Sequence, residues 1–268
     1  MWKYLALSFV LLAGLVGPGQ AQSFDRVVQA EILPGWQQSD GTHMAAIRIT
    51  LNPGWKTYWR SPGDAGIPPR IDWSGSGNIR SANLTWPTPD VFSQNGMRSI
   101  GYEQELILPV QIDPKKPGKT IRLKALLDIG VCRDICVPQR LKLTGKIPAS
   151  GGERDPRIAA AIASRPLSAS EAGLSRATCR ISPIEDGLRV EARLHLPSAG
   201  GAEIAVMEMD NPNVWVSETK TRRDGGVLIA QSDMMHVDGA SFMVDRSTLR
   251  FTVLGKRHAV DILGCGAG

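Results

Sequence analysis

The sequence lacks any apolar run of the roughly 20 residues a membrane-crossing helix needs. The nearest approach is residues 4–16, which follow a short basic start at Lys3 and end at Gly17-Pro18. Small residues come next, in Gly19-Gln-Ala21. That order reads as a cleavable secretory signal over residues 1–21, not as an anchor. A soluble, exported chain with no transmembrane helix is therefore expected, in a compartment that tolerates disulfides.

Histidine is scarce as well. The four are His43, His195, His236 and His258. None has the spacing of a zinc ligand set, and none neighbours a cysteine in sequence. Cys–His acyl transfer would need a histidine brought in by the fold. No metal and no cofactor are expected. Charge of one sign is not concentrated either. The formal net charge is +5, or one less once Lys3 leaves with the signal. The densest basic group, Lys220-Thr-Arg-Arg223, runs into Asp224-Gly-Gly226 and reads as a hairpin turn. With no basic stripe and no interleaved aromatics, a nucleic-acid partner is not expected.

Cysteine is limited to four residues, Cys132, Cys136, Cys179 and Cys265. The first two lie in Ile129-Gly-Val-Cys132-Arg-Asp-Ile-Cys136-Val-Pro138, between two alternating runs at residues 121–127 and 140–147. Period-two alternation marks half-buried strands, and Gly130 and Pro138 punctuate the segment between them. The pair is therefore expected near the end of a hairpin, close enough to bond. In the chain-entropy picture, closing about five residues stabilises by roughly 2 kcal/mol. Closing about 87, between Cys179 and Cys265, stabilises by roughly 4.5 kcal/mol. The long pair is the better brace and the short pair the better candidate for a bond that breaks. A second structural disulfide at Cys132 and Cys136 is the alternative that spacing leaves open.

Along the chain, residues 24–150 read as one all-β unit. Strands are expected at 27–33, 44–51 and 106–112, with an edge strand or extended loop at 84–92. Many short strands separated by Gly/Pro-rich turns indicate a β-sandwich. Residues 151–176 read as a linker carrying a short helix from Asp155, with Pro156 at its first position. Residues 177–268 read as a second β-sandwich. Its candidate strands are 188–196, 202–209, 213–220, 227–232, 241–244, 249–254 and 258–263.

Two further groups carry alternatives. Met207, Met209, Met234, Met235 and Met243 lie near His236 in the second sandwich. Thioethers and imidazole suit copper(I), whereas methionines on one strand face commonly fill a core. Tyr58, Trp59, Trp86, Phe92 and Tyr102 lie in the same unit as the short cysteine pair. They either shield a reactive thiol or simply pack. The acids Asp64, Asp90 and Asp134 would raise a nearby thiol's pKa, and Arg133 would lower it.

Taken together, Gly54-Trp-Lys-Thr-Tyr-Trp-Arg-Ser-Pro-Gly-Asp-Ala-Gly66, Trp86-Pro, Gly101-Tyr-Glu and Val131-Cys-Arg-Asp-Ile-Cys-Val-Pro138 resemble the periplasmic N-terminal domain of DsbD-type thiol:disulfide interchange proteins. The ScsB-like branch is the nearest in pattern, over about residues 24–150. The resemblance implies an immunoglobulin-like first sandwich with a redox pair at Cys132 and Cys136. Cys136 would be the nucleophile and Cys132 the resolving thiol. Phe92 and Asp90 would fall in a cap loop over the pair, and Tyr58 near it. Electrons would come from a membrane-embedded donor and go to oxidised periplasmic proteins, with thioredoxin-fold proteins as partners. This chain places three residues between its cysteines where the best-known relatives place five. It also lacks the membrane and thioredoxin-like domains that usually follow, so its donor would be a separate protein. The competing expectation is a non-catalytic module that binds a protein or copper, with an inert short disulfide.

Overall fold

The computed structural model describes residues 27–63, 66–94, 96–149 and 152–268. The expected signal segment and Asp64 lie outside the described residues. The described chain is all-β apart from one helix, and forms two sandwiches, the first immunoglobulin-like.

Ten strands build the first sandwich: β1 (Val28–Gln37), β2 (His43–Leu51), β3 (Lys56–Tyr58), β4 (Arg70–Asp72), β5 (Ser81–Leu84), β6 (Asp90–Gln94), β7 (Met97–Glu103), β8 (Glu105–Asp113), β9 (Ile121–Cys132) and β10 (Cys136–Ile147). One sheet runs β1-β2-β8-β5. The other runs β10-β9-β3-β7-β6, with β4 also paired to β9. The alternation that predicts β9 and β10 has a direct physical outcome. Ile121, Leu123, Ala125, Leu127 and Ile129 of β9 point into the core and the residues between them do not. Burying each of these Ile and Leu side chains contributes about 1.5–3 kcal/mol before entropy is subtracted.

Helix α1 (Pro156–Ala163) starts where the sequence predicts. The Asp155 carboxylate accepts from the Arg157 amide at 2.9 Å and caps it. It is more than a connector. Ile158 and Ala161 pack with Leu33, Met44, Ala46 and Ile107 as a small core on the outer side of the first sandwich.

The second sandwich contains β11 (Leu167–Ser168), β12 (Arg176–Ile184), β13 (Gly187–His195), β14 (Ile204–Glu208), β15 (Val214–Val216), β16 (Lys220–Asp224), β17 (Val227–His236), β18 (Arg250–Leu254), β19 (Ala259–Leu263) and β20 (Gly266–Ala267). Its sheets run β11-β19-β18-β14 and β15-β17-β13-β12-β20, with β16 also on β17. Three expectations are corrected by this arrangement. The segment 213–220 is not one strand, because β15 ends at Val216 and β16 begins at Lys220. The group Lys220-Thr-Arg-Arg223 is itself a strand, and only Gly225 and Gly226 turn. Residues 241–244 form no strand, and Met243 is 89% exposed. Strand-forming residue types there have no neighbouring strand to pair with, and pairing is what stabilises a strand.

The β14-β18-β19 sheet is buried on both faces. Ala205, Met207, Phe251, Val253, Val260 and Ile262 fill the second core. Val206, Leu254 and Ala259, on the opposite face, join the first core, which includes Trp59 and Trp55. The two sandwiches therefore share apolar contact rather than being tethered by a bare linker.

Candidate functional site: the disulfide at the β9–β10 hairpin

Strands β9 and β10 pair in continuous register from Ile121↔Ile147 to Cys132↔Cys136. The cysteines are thus directly opposite at the open end of the ladder. Their Cα atoms are 4.2 Å apart and the sulfurs are bonded. Arg133, Asp134 and Ile135 make the tip, closed by the Arg133 amide donating to the Ile135 carbonyl at 3.3 Å.

The two sulfurs live in different surroundings. Cys132 is 2% exposed, whereas Cys136 is exposed. Ile135, next to Cys136, is 58% exposed, an apolar side chain presented to solvent. Arg133 pairs with Asp134 at 3.0 Å and lies over the Trp55 ring at 5.6 Å.

The Tyr58 side chain reaches the bond. Its hydroxyl stands 2.7 Å from Cys132 Sγ and 3.0 Å from Cys136 Sγ. Bonded sulfurs carry no hydrogen, so the hydroxyl donates, and its single proton is shared between two acceptors. Burial pushes the Tyr58 hydroxyl above its ordinary pKa. It therefore stays protonated and remains a donor at neutral pH. Glycine makes room for the ring. A Cβ on Gly130 would stand 3.1 Å from Tyr58 ring carbons and 2.7 Å from Ile67 Cβ. A Cβ on Gly66 would stand 2.9 Å from Tyr58 Cδ1. The ring is thus held between β9 and the loop after β3. Ile67 of that loop lies against Gly130, two residues before Cys132.

Phe92 and Asp90 sit further away than Tyr58. Both are on β6, separated from β9 by β3 and β7. Phe92 connects to the site through Lys56, whose ammonium lies 5.0 Å from the ring centroid. Lys56 stands opposite Cys132 in the β3–β9 register. Asp90 is exposed and opposite Gly101. An open groove of about 480 Å³ runs beside the hairpin, lined by Ile67, Pro68, Arg70, Asp128, Pro138 and Arg140, among others. Two of these residues, Arg140 and Asp128, are cross-strand neighbours that form a two-bond ion pair at 2.6 and 2.9 Å.

Cys179 and Cys265 are also bonded, 86 residues apart in sequence. Cys179 is fully buried and Cys265 packs against the second core. The bond ties β12 to the chain just before β20, which pairs parallel with β12 at Thr178 and Cys179.

The methionines are scattered. Met207 and Met234 are core residues, Met209 packs on that core, and Met243 projects into solvent. Among the described residues, no group of three or more His, Cys, Asp or Glu side chains could hold a metal ion.

Sequence reasoning placed Tyr58 near the pair as shielding and missed its hydroxyl as a direct partner of both sulfurs. A signal was present. Gly130 interrupts an alternating strand two residues from Cys132, and a strand glycine often marks a close approach of another group.

Residues 29–147 match the family model described as "Thiol:disulfide interchange protein DsbD, N-terminal". This region is a DsbD-type N-terminal domain. Among solved structures, the crystal structure of the N-terminal periplasmic domain of ScsB from Proteus mirabilis matches with a TM-score of 0.64 and 20% identity. That match covers 90% of this chain and 92% of the ScsB chain, so both sandwiches share the fold. No curated protein matches the chain by sequence. The DsbD-type assignment fits a thiol–disulfide interchange domain, with the bonded hairpin cysteines inside the matched region. Among the described residues, no helix is long and apolar enough to cross a membrane.

Proposed function

We propose that this chain is a periplasmic thiol–disulfide interchange protein that relays reducing equivalents through Cys132 and Cys136. The observation that carries the reading is the asymmetry of the bond. One sulfur is exposed, the other is buried, and one tyrosine hydroxyl is within reach of both.

In the loading half-reaction, a thiolate of a reduced donor attacks the exposed Cys136 sulfur. The Cys132–Cys136 bond breaks and Cys132 leaves as a thiolate. Tyr58 donates to the developing charge, which lowers the cost of burying it. A mixed disulfide now joins the donor to Cys136. The donor's second thiol attacks its own sulfur in that bond and releases Cys136. The donor ends as a disulfide and this pair as a dithiol, two electrons and two protons richer. In the delivery half-reaction, the Cys136 thiolate attacks an oxidised partner, and Cys132 then closes on Cys136 and frees the partner as a dithiol. The donor in this reading is membrane-embedded and the acceptors are oxidised periplasmic proteins, thioredoxin-fold proteins among them. Phe92 and Asp90 of β6 belong to the cover over the pair, and the Cys179–Cys265 bond braces the second sandwich.

The test is capture. A Cys132→Ala variant keeps Cys136 free but removes the thiol that resolves the mixed disulfide. Expressed in the periplasm, it accumulates covalent adducts that dithiothreitol releases. A Cys136→Ala variant does not. Equal adduct formation by both variants, or by neither, would contradict the nucleophile and resolving roles of the two cysteines.

A further inference from the structure

We infer that the second sandwich is a clamp that positions Tyr58 over the disulfide, with Arg60 as the positioning residue. This rests on the interchange reading above and assigns the second sandwich a part in it.

Arg60 lies two residues after Tyr58. Its guanidinium leaves the first sandwich and is taken up by three neighbouring strands of the second. It donates to Glu208 of β14 through two bonds, at 3.0 and 2.9 Å. It donates to Thr252 Oγ1 of β18 at 3.0 Å and lies 3.6 Å from Asp261 Oδ1 of β19. Asp261 is itself held by two bonds from Arg250, at 2.7 and 2.6 Å. The same Arg60 guanidinium lies 4.0 Å from the Trp59 ring centroid. Trp59 is fully buried in the first core. A planar guanidinium with two parallel bonds to one carboxylate and a ring beneath it has little freedom to rotate.

The clamp reaches the disulfide through a short stretch of chain. The Trp59 amide donates to the Ile100 carbonyl at 2.9 Å, and the Ile100 amide donates to the Pro62 carbonyl at 2.9 Å. Residues 59–62 are therefore pinned to β7 on one side and to the second sandwich on the other. Gly63 follows with φ +80°, where a Cβ would stand 2.6 Å from the Arg98 carbonyl oxygen. Arg98 makes a second ion pair across the interface, with Glu218 at 2.9 Å. The chain then returns as Gly66 and Ile67, which enclose the Tyr58 ring against Gly130. Tyr58 itself is held in β3 by pairing with Gly101, and the chain that follows it is held against the second sandwich, directly at Arg60 and through Arg98 at Gly63.

Among bonds that only stabilise the interface, none would change how strongly Tyr58 acts on the sulfurs. A positioning bond would. The whole oxidised chain is reduced with dithiothreitol, and thiol alkylation with mass analysis follows Cys132–Cys136 alone. Tyr58→Phe is expected to slow this reduction roughly tenfold, the loss of one hydrogen bond to a developing thiolate. In an Arg60→Gln background the same Tyr58→Phe change is expected to slow it by threefold or less. Glu208→Gln, made wholly within the second sandwich, should reproduce that loss of coupling if Arg60→Gln fails to fold. Leu254→Ala weakens the apolar part of the interface without touching Arg60, and there the tenfold effect should persist. A Tyr58 effect that stays tenfold in both the Arg60 and Glu208 variants overturns the clamp while leaving interchange intact. An effect lost equally in Leu254→Ala also overturns it, because general loosening then suffices. A wild-type pair that dithiothreitol cannot reduce sinks the interchange reading and the clamp with it.

Discussion

Cys136 ends a hairpin in contact with solvent, whereas Cys179 is fully buried between strands of the second sandwich. The bond at Cys136 has a hydroxyl donor within 3.0 Å and an exposed isoleucine beside it. Around Cys179 and Cys265 the neighbours are core side chains and ladder backbone. The Cys179 carbonyl accepts from Arg246 Nε at 3.2 Å and from the Gly268 amide at 3.2 Å. The lesson lies in access and in what awaits the leaving sulfur. Thiol–disulfide exchange needs a thiolate to approach one sulfur in line with the bond, and a stabilised thiolate to depart from the other. The hairpin bond presents an exposed sulfur and a hydroxyl donor, whereas the second bond has one fully buried and one half-buried sulfur set against core side chains.

The sharpest way to break this comparison is to remove single sulfurs and follow exchange with a chromogenic aryl disulfide after pre-reduction. Cys136→Ser is expected to abolish turnover. Replacing Cys179 and Cys265 together should leave the rate of the remaining pair within about twofold, since that bond lies outside the proposed exchange path. Loss of turnover in the second case would mean that the two bonds act as one system.

Stability should rank the bonds the other way. Urea unfolding of the Cys179→Ala/Cys265→Ala chain should show a loss of about 4.5 kcal/mol, from its long loop. The Cys132→Ala/Cys136→Ala chain should lose about 2 kcal/mol or less. Equal losses would remove the distinction between brace and exchange bond.

A smaller effect, in the first sandwich, depends on pH. His43 lies buried at the start of β2, with Nε2 2.7 Å from the Pro34 carbonyl. Burial lowers its pKa below the ordinary histidine value, outweighing the hydrogen bond to Pro34. The unfolded chain then binds the proton first as pH falls, so stability is full above about pH 6.5 and declines below it. His43→Gln should flatten the dependence of the urea midpoint between pH 7.5 and 5.5. An unchanged slope would mean that other groups set it.

How much of this was legible before the structure depends on how local each feature is. The β9–β10 hairpin and helix α1 announce themselves, through alternation on either side of Cys132 and Cys136 and through the Asp155-Pro156 start. Strand β7 does not, because Gly101 and the polar residues around it weaken its pattern. Strand β12 likewise carries Pro183 and small polar residues, and it is held in place by pairing with β13 along nine positions. The surroundings of the disulfide were half legible. Family resemblance pointed to Phe92, Asp90 and Tyr58, yet only Tyr58 is in hydrogen-bond reach of the sulfurs. Arg60 was illegible by nature. Its partners Glu208 and Thr252 are 148 and 192 positions away, and no local period encodes such a contact.

The most direct measurement is staged reduction. The oxidised chain is equilibrated in glutathione or dithiothreitol buffers of stepped potential, alkylated, and each disulfide is read by peptide mass. Cys132–Cys136 is predicted to open at potentials above about −300 mV while Cys179–Cys265 stays closed. Both bonds opening together, or Cys179–Cys265 opening first, would contradict the division between exchange bond and brace.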